Sequence, residues 1–203
     1  MESKELLELA DWRRRVFNLY REVRDAPDPQ VAWRRWRDTR DELFRTHPQS
    51  PLPASRRADF EGVSYFDYDP ASRVIGRVRD LPPRRYNIET SGEGTFSFTR
   101  FAAVAFTLHG SDLELELYWL EGYGGGIFLP FKDQTSGRDT YGGGRYLLDT
   151  VKGADLGDQD GGVVLDLNFA YNPSCSYDPQ WVCPLSPPEN RLDIAVTAGE
   201  QKP

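Results

Sequence analysis

The pattern of apolar residues changes its period at residues 47–53, which read His-Pro-Gln-Ser-Pro-Leu-Pro. Before this segment apolar residues recur every three or four positions, and after it they alternate with polar residues. Three prolines in seven residues exclude regular secondary structure, because proline fixes φ and lacks a backbone N–H. The sequence therefore predicts helices over 1–46, a proline-rich linker over 47–59 and a β-rich core over 60–203.

Two amphipathic helices are predicted before the linker. The first covers residues 3–25, where apolar residues recur at helical spacing. Asp28 followed by Pro29 is a typical start of a second helix, because aspartate caps free N–H groups and proline suits the first turn. Trp33 and Trp36 are three positions apart, so they share the face that would pack on the core. Since the connection is short, we expect a helical hairpin.

The remaining chain contains short segments in which apolar and polar residues alternate, the pattern of half-buried strands. The predicted strands are 65–68, 73–78, 86–90, 95–109, 113–120, 127–131, 163–169 and 192–197. Turn residues rich in glycine, such as those at 91–94, separate consecutive strands. The fold class predicted is α+β, with the helical hairpin packed on a mainly antiparallel β-sandwich or open β-barrel. We expect residues 1–203 to form a single domain.

Two segments carry more glycines, amides and aromatic residues than a hydrophobic pattern requires. They read FLPFKDQTSGRDTYGGGRY over 128–146 and LDLNFAYNPSCSY over 165–177, and are followed by PPENRL over 187–192 and AGE over 198–200. On these motifs the chain resembles the bacterial and archaeal family called domain of unknown function 1684, over nearly its whole length. The resemblance implies no particular activity, substrate or cofactor.

The first segment has the residue types of an anion site. Thr135, Ser136 and Thr140 supply hydroxyls, the glycines at 142–144 expose backbone N–H groups, and Arg145 supplies a planar donor. The segment lacks the Gly-Lys-Ser/Thr ending of a phosphate-binding P-loop. The alternative is a glycine-rich turn whose arginine pairs with an internal carboxylate, either Asp133 or Asp166.

The second segment places Asp166 and Asn168 on one face of a strand. Buried polar groups need partners, so these two side chains either orient a ligand or bond the irregular loop that follows. The leading hypothesis is a pocket that binds a small anionic or polar molecule. The residues predicted to line it are Thr140, Tyr141, Arg145, Asp166, Asn168 and Asn172.

Two other functions are compatible with the same segments. A hydrolase-like enzyme would use a carboxylate for acid–base chemistry, with Asp133, Asp166 and Glu189 as the candidates. The third hypothesis is a structural or partner-binding protein in which the motifs only fix loops. A polar pocket that holds a carboxylate of perturbed pKa would favour the enzyme, and a pocket without one would favour the binding protein.

Cys175 and Cys183 are the only cysteines, with seven residues between them. Four interpretations remain open: a disulfide, a pair of metal ligands, two small buried residues, or a nucleophile at Cys175. His47 and His109 are the only histidines, and neither has the spacing of a zinc ligand. We therefore expect no metal, and no residue pattern indicates a cofactor.

Charge and hydropathy exclude several classes of protein. Residues 93–203 carry 7 basic and 16 acidic side chains, which would repel a phosphate backbone, so we expect no nucleic-acid partner. No apolar run approaches the roughly 20 residues of a membrane helix. The first residues include no apolar targeting segment, so we expect a soluble, cytoplasmic protein. The sequence carries no signal of oligomeric state.

Overall fold

The computed structural model describes residues 2–203 and begins with two helices packed against each other. Helix α1 covers Ser3–Asp25 and helix α2 covers Pro29–Thr46. The Asp28 side chain accepts hydrogen bonds from the backbone N–H groups of Gln30 and Val31, at 2.8 and 3.1 Å, and so caps α2. The two helices predicted from the sequence are confirmed.

Seven strands follow, and they form one antiparallel sheet. The strands are β1 (Arg73–Glu89), β2 (Thr95–Leu108), β3 (Ser111–Leu120), β4 (Gly126–Phe131), β5 (Arg145–Asp149), β6 (Asp158–Gln159) and β7 (Gly162–Asp166). Their order in the sheet is β5-β4-β3-β2-β1-β7-β6. Within residues 2–203 the sheet has two edges and is not closed into a barrel. The α+β class with a mainly antiparallel sheet is confirmed.

Strand β1 joins two strands that the sequence predicts separately. Its 17 residues continue through Pro82 and Pro83, where its register with β2 shifts between the pairs of Asp80 and Arg84. A bulge interrupts the ladder of hydrogen bonds and so tolerates residues without an N–H. The prolines therefore lie within one long strand and do not end it.

Two predicted strands are not strands in the structure. Segment 65–68 makes a single bridge, from Tyr65 to Glu200. Segment 192–197 is irregular, although it lies beside Lys132, whose backbone accepts a hydrogen bond from Leu192. These segments cross the protein without running along a neighbouring strand, so alternation alone predicted too much sheet.

The helices and the sheet share one apolar core. Trp36 is fully buried, and its ring centroid lies 5.2 Å from that of Phe169 and 5.7 Å from that of Tyr65. The indole N–H of Trp33 donates to the backbone carbonyl of Asn168 at 2.9 Å. The hairpin therefore packs, through the tryptophan face predicted from the sequence, on the segments that precede β1 and follow β7. Among the described residues, no helix combines the length and apolar character needed to cross a bilayer.

Side chains hold the irregular segment after β7 in place. The Asn190 side-chain carbonyl accepts from the Glu116 N–H at 2.8 Å, and its amide donates to the carbonyls of Glu116 and Pro130 at 2.9 and 2.7 Å. Asn190 thus replaces the strand partner that the backbone of β3 lacks at this point. The same segment brings residues 196–200 against β5.

Candidate functional site

Arg145, the first residue of β5, is buried and bonded within the protein. Its Nη2 lies 3.0 Å from Asp133 Oδ2 and 3.0 Å from the carbonyl oxygen of Val196. Its Nη1 donates to the carbonyls of Ala198 and Glu200. Burial lowers the pKa of the Arg145 guanidinium, and the Asp133 carboxylate opposes this shift. The structure therefore shows the alternative in which Arg145 pairs with an internal carboxylate.

Thr135 and Thr140 complete this buried group. Asp133 Oδ1 accepts from the backbone N–H of Thr135 at 2.7 Å and from its hydroxyl at 2.6 Å. The two threonine hydroxyls lie 2.8 Å apart. The Asp133 carboxylate thus occupies the Thr135 hydroxyl and one N–H donor of Arg145, and the Thr140 hydroxyl bonds Thr135, so these groups are not free for an external anion.

Close packing explains why glycines stand at positions 143 and 144. Gly144 has a φ of +98°, and a Cβ there would lie 2.7 Å from the Cβ of Ser186 and 2.8 Å from the carbonyl oxygen of Phe131. Gly143 accepts a hydrogen bond from the Ser186 N–H at 3.0 Å. A side chain at position 144 would collide with these atoms and push the start of β5 away from Ser186.

Asn172 lies next to a second buried ion pair, which the sequence did not reveal. Glu200 Oε2 accepts from the Asn172 N–H at 2.8 Å and from Arg40 Nη2 at 3.0 Å. Burial raises the pKa of Glu200 to about 7, although Arg40 favours the charged carboxylate. Glu200 belongs to a motif singled out above. Arg40 looks like any surface arginine of an amphipathic helix, so no signal could have found it.

Asp166 and Asn168 lie in a different part of the molecule. Asp166 ends β7 opposite Arg73 of β1. Residues 167–169 form a short 3₁₀-helix, so the strand predicted over 163–169 was too long and Asn168 does not lie on a strand face. Its Oδ1 accepts from the backbone N–H of Asn168 at 3.1 Å and from the side-chain amide at 2.8 Å. The Asn168 amide also exchanges hydrogen bonds with the backbone of Asp69, at 2.9 and 2.8 Å. Asn168 therefore fixes the orientation of the Asp166 carboxyl group.

A cavity of about 370 Å³, here called the Asp166 cavity, is lined in part by Asp166. It lies between the end of α1, the start of α2 and strands β1, β6 and β7. The polar side chains that line it are Arg24, Asp25, Arg73, Asp158, Gln159 and Asp166. Its size falls within the range of pockets that hold small ligands, roughly 300–1,000 Å³.

One oxygen of Asp166 has no hydrogen-bond partner. Asp166 Oδ2 is buried and unpaired among residues 2–203, and the Nε of Arg73 is 3.9 Å from it. Burial raises the pKa of Asp166 to about 6, while hydrogen bonds from Asn168 and the charge of Arg73 oppose the shift. An unpaired buried acceptor costs free energy and calls for a partner that the chain does not supply.

The remaining candidates are spread over other sites. Tyr141 Oη lies 3.6 Å from Cys175 Sγ, and burial raises the pKa of Tyr141 to about 12. Glu189 is exposed on a short 3₁₀-helix. The structure therefore brings Thr140, Arg145 and Asp133 together in one place, and Asp166 and Asn168 in another.

The two cysteines are both buried and free. A hydrogen bond with Cys183 lowers the pKa of the Cys175 thiol. The Ser91 hydroxyl accepts from the Cys183 N–H at 3.1 Å, which fixes the loop around it. Within residues 2–203, no three His, Cys, Asp or Glu side chains are grouped so as to hold a metal ion.

Comparison with known proteins establishes the family. Residues 58–201 match the family described as protein of unknown function (DUF1684), which is well over half of the chain. The chain belongs to the DUF1684 family. This confirms the resemblance drawn from the C-terminal motifs. No curated protein matches the chain.

A solved structure is similar to this DUF1684 protein over most of its length. It is the solution NMR structure of an uncharacterized protein from Haloarcula marismortui, 38% identical, with a TM-score of 0.62. The similarity covers 88% of this chain and 97% of that chain, so it reaches beyond the family match into the N-terminal helices.

Proposed function

We propose that this DUF1684 protein binds a small hydroxy- or amino-carboxylate in the Asp166 cavity. The observation that carries the proposal is the buried, unpaired Oδ2 of Asp166 beside this cavity. Above pH 6 the carboxylate is ionised, and a hydroxyl or ammonium group of a ligand would supply the missing donor. A hydrogen bond to a charged group contributes roughly 1.5–3 kcal/mol.

Two arginines favour an acidic group elsewhere on the same molecule. Arg24 and Arg73 line the cavity, and their side chains are about one third exposed. Arg73 Nη2 donates to the Gln159 side chain at 3.0 Å, and Arg24 Nη1 donates to the carbonyl of Asp155 at 2.7 Å. These contacts hold the two guanidinium groups at the wall, where each retains further N–H donors for a ligand carboxylate.

The other predicted pocket residues have a different role in this proposal. Thr140, Arg145 and Asn172 are buried, and they make hydrogen bonds within the protein. We infer that they fix the C-terminal segment, and that Asp166, positioned by Asn168, provides the ligand contact. Tyr141 contacts Cys175 and lies outside the set that lines the Asp166 cavity.

The test is an NMR titration of ¹⁵N-labelled protein at pH 8 with glycolate and glycine, and with acetate as the probe that lacks a donor. Glycolate or glycine should shift the amide signals around Gly157 and Asp166, and acetate should bind at least tenfold more weakly. In Asp166→Asn the amide NH₂ would replace Oδ2 and remove the acceptor, so binding should weaken at least tenfold.

Asp158→Asn is the matched control, because it removes one negative charge from the same cavity and leaves Asp166 intact. This variant should bind glycolate at least as tightly as the wild type, because one negative charge fewer then faces the ligand carboxylate. Absence of shifts with both glycolate and glycine, or equal binding by Asp166→Asn, would overturn the proposal.

The second candidate is a hydrolase in which Asp166 acts as a general base. It meets the criterion given above for an enzyme, because the Asp166 cavity is polar and holds a carboxylate whose pKa is raised to about 6, and a base that is ionised at neutral pH yet still basic is well suited to proton transfer. Binding is placed first because it requires only the unpaired Oδ2 of Asp166. Asp166 would take a proton from water as the water attacks an ester. The assay is methanol release from methyl glycolate, and a rate equal to that of Asp166→Asn would exclude this candidate.

A further inference from the structure

A second cavity, of about 280 Å³, lies at the other end of the sheet. Its walls come mainly from β2, β3 and β4, and we call it the aromatic cavity. The apolar residues that shape it include Phe96, Phe98, Leu120, Ile127, Phe128 and Val182. None of the residues that line it also lines the Asp166 cavity. It is therefore a separate site, and its function does not depend on the one proposed above.

Packing fixes the inner wall of the aromatic cavity. The rings of Phe98 and Phe128 stack with centroids 5.0 Å apart, and both side chains are buried. At the mouth, Phe96 is 40% exposed and Val182 is 48% exposed. Large apolar side chains left exposed around a concave surface are typical of a ligand site.

Three charged side chains line the same cavity. Lys152 Nζ lies 3.0 Å from Asp149 Oδ2, so these two charges offset each other. Arg13 of α1 has no ion-pair partner within 4.0 Å among residues 2–203. The cavity therefore combines an aromatic interior with one uncompensated positive charge.

We propose that the aromatic cavity binds a small apolar carboxylate, such as a medium-chain fatty acid. The hydrocarbon chain would pack on Phe98 and Phe128 at the inner wall, where burial of apolar area stabilises it. The carboxylate would pair with Arg13, which can bind it through two parallel N–H donors. Lys152 adds a second donor on the same side.

The test is isothermal titration calorimetry with hexanoate, and with hexanol as the uncharged probe of the same chain length. Wild type should bind hexanoate at least tenfold more tightly than hexanol. Arg13→Met should abolish this difference by weakening hexanoate binding about tenfold. Val182→Glu, which places a negative charge at the exposed mouth, should also weaken hexanoate binding.

Two controls separate this site from the rest of the molecule. Arg14→Met changes the next residue of the same helix, outside the cavity, and should leave hexanoate binding unchanged. Asp166→Asn should also leave it unchanged. Hexanol binding as tight as hexanoate binding, or full hexanoate affinity in a folded Arg13→Met variant, would overturn the proposal.

Discussion

The guanidinium of Arg145 lies 3.0 Å from the carboxylate of Asp133, and the exposure of the two side chains is 1% and 0%. The pair joins β5 to the segment around Asp133. The same arginine donates hydrogen bonds to the backbone carbonyls of Val196 and Ala198. The buried charge of Arg145 therefore links three parts of the chain that are distant in sequence. Removal of either partner would leave an uncompensated charge in the core.

Asp133→Ala is expected to lower the free energy of unfolding by about 3–5 kcal/mol, the typical cost of breaking a buried ion pair. Urea denaturation measures this directly. Asp139→Ala is the control, because Asp139 pairs with Arg138 at the surface and exposed pairs contribute less than about 1 kcal/mol. Equal, small effects of the two substitutions would show that the Arg145 pair does not anchor the C-terminal segment.

Trp36→Ala tests the proposal that residues 1–203 are a single domain. Truncation of a buried tryptophan typically costs about 3–5 kcal/mol, and Trp36 contacts Tyr20 of α1 and Phe169, which follows β7. We expect one cooperative unfolding transition at a lower temperature, measured by calorimetry. Trp119, which is 45% exposed, provides the control through Trp119→Ala. A β-sheet transition unmoved by Trp36→Ala would mean that the hairpin unfolds independently.

Asp166→Asn should change how stability depends on pH. The pKa of Asp166 is about 6 in the folded protein and about 4 in an unfolded chain, so the folded state binds the proton more tightly. Between these values the contribution of Asp166 to stability falls as the pH rises, and it is constant above them. The variant should therefore match wild type near pH 4 and exceed its stability by about 3 kcal/mol at pH 8, since one pKa unit equals roughly 1.4 kcal/mol.

The measurement is urea unfolding of both proteins at pH 4, 6 and 8. Glu200 titrates in the same range, with a pKa of about 7, but it is present in both proteins and cancels in the difference. A difference in stability that does not vary with pH would mean that Asp166 has an ordinary pKa.

We expect both cysteines to be reduced in protein made in the cytosol. Thiol titration after unfolding should then count two thiols per chain, and elemental analysis should find no stoichiometric zinc. Cys183→Ser should leave the metal content unchanged. One zinc per chain, lost in Cys183→Ser, would instead establish the pair as metal ligands.

The sequence predicts the parts of the fold that depend on local chemistry. Asp28 and Pro29 mark the start of α2 because capping involves neighbouring residues alone. The alternation of leucines with glutamates predicts β3 for the same reason. Strand β1 was harder to predict, because prolines such as Pro82 and Pro83 usually end a strand. A bulge can accommodate them, but whether one forms depends on the partner strand.

The candidate site was predicted less completely. Alternation predicted that Asp166 and Asn168 share a strand face, but the strand ends at Asp166 and Asn168 lies in a 3₁₀-helix. The alternative pairing of Arg145 with Asp133 followed from their charges. No pattern indicated that Asp166 lies apart from Arg145, because which cavity a strand face meets depends on how the whole chain packs. Arg40 and Glu200 are 160 residues apart, and a single sequence does not show such a pairing.

The most direct test of the proposed function is the pKa of Asp166, measured from the ¹³C shift of its carboxyl carbon with and without glycolate. We predict a pKa of about 6 in the free protein, and a lower pKa in saturating glycolate, because a donor to the carboxylate favours its charged form. A pKa near 4 in the free protein, or one that saturating glycolate leaves unchanged, would contradict the assignment of Asp166 as the ligand contact.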